Sequence, residues 1–194
     1  MYKNQMTLQR ITSYILLFAA VLVFVYSLGI MTDLYDNLYL VSLYDPVEDE
    51  MFYVEGSQVY LEMQEFNRQL TTAGIVLILS AVSLFVFRSH DRRKYYIANY
   101  ITIGVNAILN IGVAIWMRAQ VLEYKAQFLA MDFDRLHYVL VDLLQLKEEI
   151  NKSCFWFDIV NVVAVVLFVA TAISIGNLVF IILLMRDERK LVQL

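Results

Sequence analysis

The side chains best placed to do chemistry in this chain are amides and hydroxyls on two otherwise apolar stretches. Asn99, Asn106 and Asn110 recur at i, i+7 and i+11, one face of a helix, with Thr102 nearby. Further along stand Asn161, Thr171, Ser174 and Asn177. A side-chain amide offers two donors and an acceptor, and burying it in hydrocarbon without partners is costly. These groups are therefore expected to face protein or water. They would serve as interhelical hydrogen bonds worth about 1 kcal/mol each, or as the stripe of a pore.

Other chemistries lack their residues. His90 and His137 stand in separate polar segments, and there is no His-Glu-x-x-His, glycine-rich phosphate loop or Gly-x-Ser-x-Gly elbow. The acidic cluster Asp45, Glu48, Asp49 and Glu50 lacks the alternating acids and glycine of a calcium loop. Cys154 is the one cysteine, which excludes an intrachain disulfide and a cysteine metal site. Asn151-Lys152-Ser153 matches a glycosylation sequon but abuts an apolar run, a poor place for a bulky sugar. These features argue against an enzyme, and no metal or cofactor is expected.

What must position the amides is a set of four runs with no charged residue: 11–32, 69–87, 95–117 and 159–185. About 20 apolar residues cross the hydrocarbon core as a helix, so each run is close to the required length. Hydrophobic residues make up 60% of the chain and charged ones 18%, too little polar surface for a dissolved domain. The expected fold is all-α: one membrane domain, 1–194, built as a four-transmembrane-helix bundle. Its crossings are 11–31, 70–87, 95–117 and 159–185, with helical extracytoplasmic loops 32–69 and 118–158 and a cytoplasmic loop 88–94. The first run outlasts a typical signal-peptide core, so Ser27-Leu28-Gly29 is read as helix and not as a cleavage site. The absence of intramembrane charge also argues against a proton relay or voltage sensor.

Charge sets the expected orientation. The termini and 88–94 hold nine of the fifteen basic residues but three of the nineteen acidic ones. The two long loops hold the rest, six against sixteen. By the positive-inside rule both termini lie in the cytoplasm and the long acidic loops outside, in a plasma or cytoplasmic membrane. Arg88, Arg92, Arg93 and Lys94 then reach anionic lipid headgroups. No nucleic-acid partner is expected of so acidic a chain.

Small residues spaced along each run predict close helix approach: Ser13, Ala20 and Ser27; Gly74 and Ala81; Gly104 and Gly112; Ala172 and Gly176. Trp116 and the trio Phe155, Trp156 and Phe157 are placed to form an outer aromatic belt, and Tyr95, Tyr96 and Tyr100 an inner one. Loops near forty residues long without structure are uncommon, and apolar stripes run through both. Val59, Met63, Phe66 and Leu70 lead helically into the second crossing, with Ser57 as an N-cap. Val139, Leu143, Leu146 and Ile150 form the other stripe, widened by Leu136, Leu140 and Leu144.

Stripes this wide suggest a partner. The leading functional expectation is a non-catalytic interaction or assembly subunit, binding another membrane protein or a second copy of itself. The alternative is a homo-oligomeric cation-permeable channel or small transporter, with Asn99, Asn106 and Asn110 below an acidic vestibule. Both halves run crossing, acidic loop, crossing, basic stop (Asp91-Arg92-Arg93-Lys94 and Asp187-Glu188-Arg189-Lys190), a pattern produced either by duplication or by topology alone. The orientation is testable in a Cys154→Ser background on intact cells. Cysteines replacing Glu50 or Glu148 should react with an impermeant thiol reagent while one replacing Ser89 does not, and the reverse pattern would overturn it.

Overall fold

The computed structural model describes residues 2–31, 35–86, 94–146 and 152–192, with side chains at 7–31, 38–86, 97–146, 152–183 and 186. Four long helices dominate it: α1 (Tyr2–Gly29), α3 (Val59–Val86), α4 (Lys94–Ala130) and α6 (Phe155–Val192). The short α2 (Tyr35–Ser42), α5 (Phe133–His137) and a π-helical turn (Tyr138–Leu143) lie between them, and no strand occurs among the described residues. Each long helix contains a stretch long and apolar enough to cross a membrane. The chain is thus an all-helical protein of the multi-pass membrane class.

The four helices close a ring in chain order, α1 on α3, α3 on α4, α4 on α6 and α6 back on α1. Neighbours run antiparallel. Thr71 Oγ1 donates to Ser27 Oγ at 3.0 Å and Tyr26 Oη to the Trp156 carbonyl at 3.1 Å, both at the end where the long loops attach. At the opposite end, which carries the termini, Tyr14 packs edge-on against Phe85 at 5.0 Å. We call these the loop end and the terminal end.

Two of the four expected small-residue seams are used as such. In α1, Ser13, Ala20 and Ser27 are all buried, and in α3 so are Gly74 and Ala81. A Cβ on Gly74 would stand 3.0 Å from the Phe24 Cα, and one on Gly29 would stand 2.4 Å from the Trp156 ring. The seams read in the other two helices do not hold. Nothing lies within 4 Å of a Cβ at Gly104, Gly112 or Gly176, and Ala172 is exposed. There the close approaches fall to buried alanines, Ala107 and Ala114 on α4 and Ala164 and Ala170 on α6.

The core continues past the uncharged runs. At about 1.5 Å per residue, the 37 residues of α4 reach roughly 55 Å, well beyond the hydrocarbon. Phe66 sits 5.1 Å from the Trp116 ring and 5.4 Å from Tyr124, and Phe128 lies 5.5 Å from Phe157. So Trp116 and Phe157 turn inward and Trp156 covers Gly29, leaving Phe155 as the exposed ring of the expected outer belt. Among the inner tyrosines, Tyr100 is half-buried, while the side chains of Tyr95 and Tyr96 lie outside the described residues.

Above the ring, the loop segments form a cap. Arg135 Nη2 donates to the carbonyls of Glu50 at 3.2 Å and Met51 at 2.7 Å, clamping the second loop onto the first. Its guanidinium also lies over the Tyr138 ring at 5.5 Å, and Tyr44 stacks on Phe52 at 5.1 Å. Asp132 caps α5 by accepting from the Asp134 and Arg135 amides. Gly56, at φ +86°, adopts a left-handed turn that other residues resist. Ser57 does not cap α3; its buried hydroxyl donates to the Val41 carbonyl at 3.4 Å, tying α2 to the start of α3.

The two glycine contacts should respond differently from the open ones. Gly29→Val drives a side chain into Trp156 and should cost about 1–3 kcal/mol, as overpacking does. Gly176→Ala meets open space and should be neutral or stabilising by up to about 1 kcal/mol. Thermal unfolding in detergent reads both, and equal effects would contradict the packing described.

Candidate functional site

Most of the buried polar residues on the four long helices gather toward the terminal end; Ser27, at the loop end, is an exception. Gln9, Thr12, Ser13, Asn99, Asn106, Asn110, Thr171, Ser174 and Asn177 are all buried, and all belong to the terminal half. The loop half is filled by apolar side chains such as Val23, Leu70, Ala114, Met117, Val160 and Val163. Among the described residues no buried side chain is charged.

One buried interaction is a reciprocal amide pair. Gln9 Nε2 donates to Asn99 Oδ1 at 2.8 Å, and Asn99 Nδ2 returns a bond to Gln9 Oε1 at 3.2 Å. The two belong to α1 and α4, which stand across the ring from each other, so the pair pins the bundle's diagonal. A second chain runs Asn110 Nδ2 to Asn106 Oδ1 at 2.7 Å, then Asn106 Nδ2 to Ser80 Oγ at 3.0 Å. Thr12, Ser13 and Thr171 donate to carbonyls one turn back in their own helices, at 2.9, 2.8 and 2.7 Å. Ser174 Oγ and Asn177 Oδ1, by contrast, make no hydrogen bond.

Asn161 does not share this site. It lies half-buried at the loop end, accepting from Arg118 Nε at 2.9 Å. Nearby, Lys125 Nζ meets Asp158 Oδ1 at 2.6 Å, and that hydrogen bond holds the ammonium above its ordinary pKa. Exposed Glu65 is held below the usual carboxylate range by hydrogen bonds from Gln69 and Arg68. Both groups lie on the charged extensions beyond the uncharged runs.

The apolar stripes expected to meet a partner have another occupant. Val59, Met63, Phe66 and Leu70 on α3, with Leu136, Val139 and Leu140 in the second loop, are buried within the chain's own core. Leu143 and Leu146 are half-buried against that core. Among the described residues, the stripes are wide because they close the cap. Ile150, Arg88, Arg92 and Arg93 lie outside the described residues, as does the side chain of Lys94, which begins α4.

Sequence reasoning missed Gln9 and Ser80. Gln9 stands next to Arg10, outside the first uncharged run; its position one turn before Ser13 on the seam marks it as inward-facing. Ser80 borders Ala81, which belongs to the α3 seam.

The chain matches no protein-family model, no curated protein and no solved structure. Asn99→Leu strands the Gln9 amide in the bundle and should cost about 1–3 kcal/mol, the penalty of a buried unpaired polar group. Adding Gln9→Leu should recover much of that loss. A double-mutant cycle by thermal unfolding measures the coupling, and strictly additive effects would show the pair to be incidental.

Proposed function

We infer that the chain is a non-catalytic integral membrane protein acting as an interaction or assembly subunit, engaging another protein through its acidic cap. The observation that carries this reading is a row of exposed apolar side chains set among acids. Leu43 and Met51 are each 58% exposed and Val47 is 87% exposed, interleaved with exposed Asp45, Glu48 and Glu50. The carbonyls of Glu50 and Met51 accept the Arg135 clamp, so that end of the row is held on the folded cap. Solvent favours neither the display of large apolar groups nor the crowding of acids, whereas a basic surface with apolar recesses satisfies both. The partner this chemistry fits is a protein with a basic outer face; like charge disfavours cap-to-cap pairing of two copies. In this reading the cap faces outward and the termini inward, in a plasma or cytoplasmic membrane, as the loop charges favour.

The channel alternative draws on a different observation, the buried Asn99, Asn106 and Asn110 in the terminal half. Within one bundle the polar run stops at Asn110 and apolar side chains fill the rest, so conduction requires either an oligomer or a rearranged interior. Liposomes containing purified protein should then pass cations at a rate that Asn106→Leu changes.

Gentle detergent extraction followed by mass measurement separates the readings. A discrete second chain should co-purify, and Val47→Glu with Met51→Glu should release it while thermal stability stays within about 0.5 kcal/mol, as at other surface sites. A lone monomer unaffected by these changes would defeat the partner reading.

A further inference from the structure

The face that α6 turns toward α1 and α4 carries a column of polar side chains at successive turns: Thr171, Ser174 and Asn177. Thr171 is satisfied by the Leu167 carbonyl. The other two are not. Ser174 is 1% exposed and Asn177 3% exposed, yet Ser174 Oγ and Asn177 Oδ1 have no hydrogen-bond partner. Equal helical rise, carried down from the Tyr26–Trp156 and Arg118–Asn161 contacts, brings them close to the depth of Gln9 on α1 and between Asn99 and Asn106 on α4. Two unpaired polar groups thus lie in the half of the bundle that holds the amides of Gln9, Asn99, Asn106 and Asn110.

An unpaired buried polar group costs about 1–3 kcal/mol, and lipid supplies no relief. Alanine and leucine at 174 and 177 would pack the helix without that cost, so packing alone does not account for these residues. The charge around them narrows what they could bind. Among the described residues no buried group is charged, so none of them offers an anion a counter-charge or a cation a carboxylate. Hydroxyl and amide oxygens fit an uncharged donor.

We propose that the terminal half of the bundle is a binding site for small uncharged hydrogen-bond donors, with Ser174 and Asn177 as its acceptors. The layer containing Val23, Leu70, Met117 and Val163 separates the site from the loop end. Water and a small neutral solute share this chemistry. The site is independent of the cap and of any partner there.

The test uses the full chain in lipid nanodiscs with Cys154→Ser. Cysteines replace Ser174 or Asn177, Val163 in the apolar layer, and lipid-facing Val179. The probe is methyl methanethiosulfonate, small and uncharged; the cysteine thiolate, which forms only where solvent reaches, attacks its methylthio sulfur, giving the methyl disulfide and releasing methanesulfinate. Ser174→Cys and Asn177→Cys should react at least about tenfold faster than Val163→Cys and Val179→Cys. Rates equal to those of the apolar-layer cysteine would overturn the proposal. Asn177→Leu gives an independent sign. In a dry interior it removes an unpaired amide and raises the unfolding temperature, which would also overturn the proposal; at an occupied site it lowers that temperature. Glycerol then separates the two sources: slowing of the Ser174→Cys reaction alone assigns the site to a small solute, and an unchanged rate assigns it to water.

Discussion

Hydrocarbon offers no hydrogen-bond partner, and that constraint organises the bundle from within. Every polar side chain on a spanning helix must be answered by another part of the protein or by something the protein admits. The Gln9–Asn99 pair is the clearest answer, because each amide is both donor and acceptor for the other. It fixes the distance across the ring, the one direction that packing between neighbouring helices leaves unspecified. The Asn110–Asn106–Ser80 chain then sets the register of α4 against α3. Apolar contacts tolerate sliding between rows, whereas a pair of amides at 2.8 Å does not.

The two halves of the bundle are held by different physics. In the terminal half a few directional bonds specify the arrangement. In the loop half, close-packed rings and aliphatic side chains carry the helices out of the apolar zone and into the cap, from Phe66, Trp116 and Tyr124 to Phe128 and Phe157. Such contacts are strong in sum and weak in direction. The cap adds its own directional element in Arg135, whose guanidinium joins segments more than eighty residues apart. Rigidity at the loop end and specificity at the terminal end are therefore separable properties of this fold.

Much of the architecture was legible because lipid imposes a coarse rule. Four uncharged runs gave four long helices, and the stripe at Val59–Leu70 gave helix continuing beyond the second, whereas the stripe beginning at Leu136 lies on α5 and the π-helical turn, apart from α6. The finer pattern was legible only where one residue type has one use. Gly74 lies against the Phe24 backbone because a larger side chain would not fit, whereas Gly104, Gly112 and Gly176 face open space. Aromatic side chains misled for a related reason: a ring near a helix end suits the headgroup region and an extended core equally well, and Trp116 and Phe157 took the core. The asparagine face on α4 was readable from spacing, since the 3.6-residue period places Asn99, Asn106 and Asn110 together. Their partners were not, because Gln9 and Ser80 are set by helix order in space. The wide stripes, read as a docking face, are the cap's own interior, which no single segment reveals.

One consequence follows from the continuity of α3. It runs unbroken from Val59, in the cap, to Val86 at the terminal end, and the helix interior holds no proline. An α-helix of that length is stiff in torsion, so a twist applied at one end is delivered at the other. Tyr60 and Ser57 fasten its upper end to α2, and Ser80 engages Asn106 near its lower end. Each residue turns the helix by about 100°, so rotation by a small fraction of that step at the cap swings the Ser80 hydroxyl away from its amide. The helix is in effect a single rod that ties the packing of the acidic cap to the placement of one hydroxyl in the opposite half.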